Sequence, residues 1–136
     1  MRPRLVLRGT LLVSVPREDA RAEIADVVSV VVTPARELGA VFEVCVTSNY
    51  QSGVVESLVE HPLPRMFEAG LKATVNTDDP SVSRITLSHE YQHVCEELLV
   101  PMDVLKNSVI DAARAAFLPD DEKQELVTSL KKEMEL

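Results

Sequence analysis

Two adjacent carboxylates, Asp78 and Asp79, stand near the end of the stretch 72–81, KATVNTDDPS. Before them Ala73, Thr74 and Val75 favour an extended backbone. Pro80 pushes Asp79 away from helical angles, so a strand should stop there. In parallel α/β folds the carboxyl end of a strand is where active sites are built. Asp-Asp-Pro-Ser is also good turn chemistry, and a plain turn is the commoner reason to meet it.

A second constellation is His89-Glu90-Tyr91-Gln92-His93, which fits H-E-x-x-H. On a helix the two histidines would share one face and could hold zinc, with Glu90 as general base. The pattern is short and arises often by chance. It also lacks a third ligand in any recognisable motif, although Glu96, Glu97 and Asp111 are available by type. Thr47, Ser48 and Asn49 follow an expected strand, so they could line a site; capping of nearby backbone is the plainer role. His61 precedes Pro62 and reads as a helix-start residue rather than a ligand. Cys45 and Cys95 read as packed thiols, because no base adjoins either. The four glycines, Gly9, Gly39, Gly53 and Gly70, are too scattered to cradle a phosphate.

The elements that must position these groups alternate along the chain. Residues 5–15 read as one or two short strands around Gly9, residues 16–26 as a helix opened by Pro16, and residues 27–33 (VVSVVVT) as a strand covered on both faces. A helical turn at 34–38 should end at Gly39. Residues 41–46 form the next strand, 47–57 a polar loop and 63–69 a short helix. Residues 72–77 form a further strand. Helices follow at 86–98 (capped by Thr86 or Ser88), at 102–117 and at 120–134, the last with acids early and Lys131 and Lys132 late. Strand and helix in alternation imply a parallel sheet.

The 136 residues suffice for one domain with a core. A balance of 46% hydrophobic and 26% charged residues is that of an ordinary globular protein. The net charge of -8 argues against nucleic acid or an anionic membrane as partner. Two isolated cysteines make no disulfide framework, and no apolar run nears membrane-spanning length. The arginines before Leu11 are faintly like a signal peptide, but Arg8 and Gly9 interrupt it; a cytoplasmic setting is expected.

Taken in order, FEVCVTSNYQSG at 42–53, HPLPRMFEAG at 61–70, VNTDDPS at 75–81 and TLSHEY at 86–91 resemble the C-terminal part of the adenosine deaminase family. Val46 stands where most members have proline. The resemblance runs from about residue 40 to the end, leaving residues 1–40 as a divergent N-terminal segment and 41–136 as a deaminase-like barrel portion. It implies a partial (β/α) barrel with about three to five mostly parallel strands and C-terminal helices. The activity it implies is hydrolytic deamination of adenosine, or a related purine nucleoside, to inosine, with zinc as cofactor. Asp78 would be a zinc ligand and Asp79 a contact to the base. The family's His-x-His pair, its His-Ala-Gly-Glu motif and its Gly-His-Gly motif are not found in this sequence. The chain is therefore expected to be a C-terminal portion, inactive by itself. An H-E-x-x-H metallohydrolase and a non-catalytic, self-associating barrel remnant are the alternatives.

Overall fold

The computed structural model describes residues 6–7 and 32–136. Three strands, β1 (Val6–Leu7), β2 (Val41–Val44) and β3 (Lys72–Val75), form one parallel sheet in the order β1-β2-β3. The helix expected at 16–26 and most of the strands expected at 5–15 and 27–33 lie outside the described residues. Val32 and Thr33, placed at the end of that last strand, instead belong to helix α1 (residues 32–38). Pro34 explains the difference: it has no N–H to give a sheet partner, and its fixed φ suits a helix. Gly39 ends the helix at φ +64°, as expected of a glycine stop.

β2 and β3 are joined through α2 (Val46–Gln51), a 3₁₀ turn (Leu58–Glu60) and α3 (Leu63–Glu68). The loop expected at 47–57 is thus helical over its first part. Local propensity hides this, because Thr-Ser-Asn reads as turn chemistry. After β3 come α4 (Pro80–Ser83), α5 (Leu87–Glu96), α6 (Met102–Ala115) and α7 (Asp120–Glu133). Both later strands are shorter than expected, ending at Val44 and Val75, and the last three helices each stop one to two residues early. Thr86 caps α5, its Oγ1 accepting from His89 N–H.

Alternation along β2 and β3 sorts their side chains into two sets. Phe42, Val44, Ala73 and Val75 face the core shared with Leu63 and Met66 of α3, Val94 and Leu98 at α5, and Leu105 of α6. Val41, Glu43, Thr74 and Asn76 line an open cleft on the other face, together with Ala112, Ala115, Ala116 and Phe117 at the end of α6. Apart from Val41, the apolar residues of both strands therefore face the helices, and the polar ones face the cleft.

Leu63 and Val94 are fully buried at the centre of the helix-covered side. Truncation there removes packing and leaves a void. Leu63→Ala should lower the unfolding free energy by about 3 kcal/mol, measured as a reduced urea midpoint with an unchanged slope.

Candidate functional site

The carboxyl ends of β2 and β3 lie side by side, and the residues following each strand meet there. Asn76 N–H donates to Val44 O at 2.8 Å, carrying the ladder one residue beyond β3. Two residues later Asp78 sits at φ +58°, a left-handed conformation that Asp tolerates better than most residues. Its Oδ2 accepts from Ser48 Oγ–H at 3.0 Å. Ser48 belongs to the first turn of α2, so the hydroxyl that steadies Asp78 comes from the end of the neighbouring strand.

Asp79 has the extended backbone expected of a residue before proline, at φ -111° and ψ 98°. Its Oδ1 accepts from Ser81 N–H at 3.0 Å and Val82 N–H at 3.1 Å, so it caps α4, whose first residue is Pro80. The turn and site readings of Asp-Asp-Pro-Ser are thus compatible. One oxygen of Asp79 does local structural work while both aspartates stand exposed at the mouth.

Cys45, between β2 and α2, borders Asp78. Burial first, then the Asp78 and Glu90 charges, push its thiol up to about 11, outweighing a hydrogen bond from the Asp78 backbone. Cys45 is therefore a neutral thiol at physiological pH, unsuited to nucleophilic attack.

The H-E-x-x-H residues do lie on one helix, α5, but their environments diverge. His89 is exposed, and its Nδ1 lies 3.1 Å from Thr86 Oγ1. Glu90 is 0% exposed, and both of its oxygens accept from Thr47 N–H, at 3.2 and 3.3 Å. Its carboxylate is engaged inside the fold rather than over the histidines. The Thr47 hydroxyl is buried without a hydrogen-bond partner among the described residues.

His61 is the helix-start residue its position before Pro62 implies: buried, with Nδ1 accepting from Leu63 N–H at 3.1 Å. Burial lowers its pKa to about 4, so the ring is neutral at pH 7. A neutral imidazole that accepts at Nδ1 carries its proton on Nε2. The Asn49 side-chain amide, 3.0 Å from Nε2, must then turn its oxygen toward the ring. The roles of Thr47, Ser48 and Asn49 are thus three separate ones: Thr47 binds Glu90, Ser48 binds Asp78 and Asn49 binds His61. Sequence reasoning missed the Glu90 and Asn49 pairings, since neither partner lies near in sequence or in a shared motif.

The zinc that the resemblance implies needs about four ligands, three of them protein side chains in catalytic sites. Asp78 is a carboxylate of the type zinc takes, exposed and accepting from Ser48. Among the described residues no three His, Cys, Asp or Glu side chains converge on a common point. The described residues therefore do not complete a zinc centre.

A parallel sheet with helices packed on it, and with loops meeting at its carboxyl end, is of the kind from which (β/α) barrels are built. The adenosine deaminase family model matches residues 32–133, and the chain belongs to that family. The adenosine deaminase of Vibrio cholerae is 39% identical over 85 residues, 62% of this chain and 25% of the relative. That of Aliivibrio fischeri is 43% identical over 84 residues, again 62% of this chain and 25% of the relative. The chain thus spans about a quarter of the length of the curated relatives it matches. Among solved structures, the adenine deaminase of Arthrobacter aurescens superposes with a TM-score of 0.74 at 24% identity, covering 79% of this chain and 33% of that one. The N6-methyl-AMP deaminase of Arabidopsis thaliana gives 0.66 at 25% identity, covering 74% and 30%.

The neutral, buried His61 makes stability pH-dependent. Its folded pKa lies below the unfolded value, so the unfolded chain binds a proton first as pH falls. Stability present above pH 6.5 should be lost progressively down to about pH 4, on the order of 3 kcal/mol from this group. Urea titrations at pH 7 and pH 4.5 should show a smaller pH-dependent loss in His61→Gln than in the unaltered chain.

Proposed function

We propose that this chain carries the carboxylate portion of a zinc-dependent aminopurine deaminase site, with Asp78 as a metal ligand and Asp79 as a contact to the purine base. The observation that carries this reading is the Ser48–Asp78 pair: an exposed carboxylate at the strand's carboxyl end, held at 3.0 Å by a hydroxyl from the adjacent strand's end. Second hydrogen bonds of this kind orient metal ligands. In this reading residues 41–136 are the deaminase-like barrel portion, and residues 1–40 are a divergent N-terminal segment whose last turns lead into it.

The printed names of the relatives support the substrate class. They are deaminases of adenosine, of adenine and of N6-methyl-AMP, and one solved relative is complexed with IMP. The shared chemistry is hydrolysis at an aminopurine: water adds, the exocyclic C–N bond breaks and an amine or ammonia leaves. The described residues cannot complete the metal centre, so no step of that reaction is assigned to this chain alone. The buried engagement of Glu90 supports this reading over the H-E-x-x-H metallohydrolase. Among the described residues no helix is long and apolar enough to cross a membrane.

The purified chain should convert no adenosine to inosine above background, with or without added zinc, in an ultraviolet absorbance assay. Turnover that Asp78→Asn abolishes would show that the chain holds a complete site and would overturn the partial-site reading.

The second consequence concerns assembly. Among the described residues β3 pairs only with β2, although three of its four residues are buried. A buried strand with one open edge seeks a partner. The chain should associate with copies of itself in size-exclusion chromatography with light scattering. A sharp monomer at every concentration would count against self-association.

A further inference from the structure

α2 begins without a cap of its own. Its N-cap residue, Cys45, makes no side-chain capping hydrogen bond. The first N–H groups of any helix lack an acceptor within the helix. Here the acceptor for Thr47 N–H arrives from α5, in the two oxygens of Glu90. A carboxylate at 0% exposure is costly to bury unless it is hydrogen-bonded. Its only hydrogen bonds among the described residues are these, so the one N–H at the helix start and the two carboxylate oxygens are each other's partners. The acid also suits the positive end of the helix.

The next residue of α2 is Ser48, which holds Asp78 Oδ2. The direction of that hydroxyl depends on where the first turn of α2 sits. Chain continuity from β2 fixes one side of the turn, and Glu90 fixes the N–H at its heart. We infer that Glu90 is a positioning residue for Asp78, acting through Thr47, the first turn of α2 and the Ser48 hydroxyl. Its functional meaning rests on the reading of Asp78 given above. The coupling itself concerns three side chains, and it stands or falls whether or not a metal ever binds.

Nuclear magnetic resonance on the full chain tests it without recourse to activity. The readouts are amide exchange at Thr47 and the χ1-dependent three-bond couplings of Ser48 and Asp78. In the unaltered chain both side chains should show single rotamers. Glu90→Ala should speed Thr47 exchange by roughly ten- to a hundredfold and average the couplings of both Ser48 and Asp78. Glu90→Gln keeps an acceptor oxygen and should restore single rotamers at both. Ile110→Val, a core change in α6, controls for general destabilisation and should leave the couplings alone. Couplings in Glu90→Ala that match the unaltered chain would overturn the proposal, as would averaging of equal size in Ile110→Val. Should Glu90→Ala fail to fold, Ser48→Ala carries the test with Glu90→Gln. Ser48→Ala must free the Asp78 rotamer while leaving Thr47 exchange unchanged, and an Asp78 rotamer that stays fixed sinks the coupling. Turnover in the absorbance assay would overturn the partial-site reading while leaving these couplings unaffected.

Discussion

The register between β2 and β3 governs everything else in the described chain. Val44 lies opposite Val75 and Glu43 opposite Thr74. Because side chains alternate, a slip of one residue on either strand would send polar groups under the helices and apolar ones to the open face. The polar face has its own tie across the pair: Thr74 Oγ1 donates to Phe42 O, and the Asn76 amide donates to Thr74. The same register brings the end of β2, with Cys45 and the start of α2, level with the residues leading to Asp78. The Ser48–Asp78 bond is therefore a consequence of strand pairing, and neither residue could make it from its own segment.

Much of this was legible beforehand because its determinants are local. Pro80 set the extended backbone of Asp79, Thr86 announced the start of α5, and Gly39 ended the turn before β2. The strands at 41 and 72 followed from β-branched alternation. What failed was non-local. Helix α2 contains β-branched and turn-forming residues, and its acceptor lies on another helix. Glu90 could be taken for a general base because it lies between His89 and His93; its burial depends on packing between α2 and α5. The mistaken strand at Val32 and Thr33 came from weighing β-branching above the proline that follows them.

Barrel active sites draw ligands from the ends of several strands, so a metal's donors are scattered widely along a chain. A portion carrying two or three neighbouring strands can hold only the donors those strands bear. The fold of the deaminases is retained here, with TM-scores of 0.66 and 0.74, although among the described residues no three His, Cys, Asp or Glu side chains come together. Fold is an average over many weak contacts and survives subdivision, whereas coordination chemistry needs a full set at one point.

Asp79 shows how much architecture one exposed side chain can carry. Its Oδ1 is committed to two backbone N–H groups at the head of α4. Asparagine could keep that oxygen in place, but the group beside it would then be a donor where a carboxylate offers an acceptor. Shape and cap would survive while the hydrogen-bonding polarity of the exposed surface reversed. Exchange at this position is thus confined to side chains that keep an oxygen at that reach, because any other would release the head of α4.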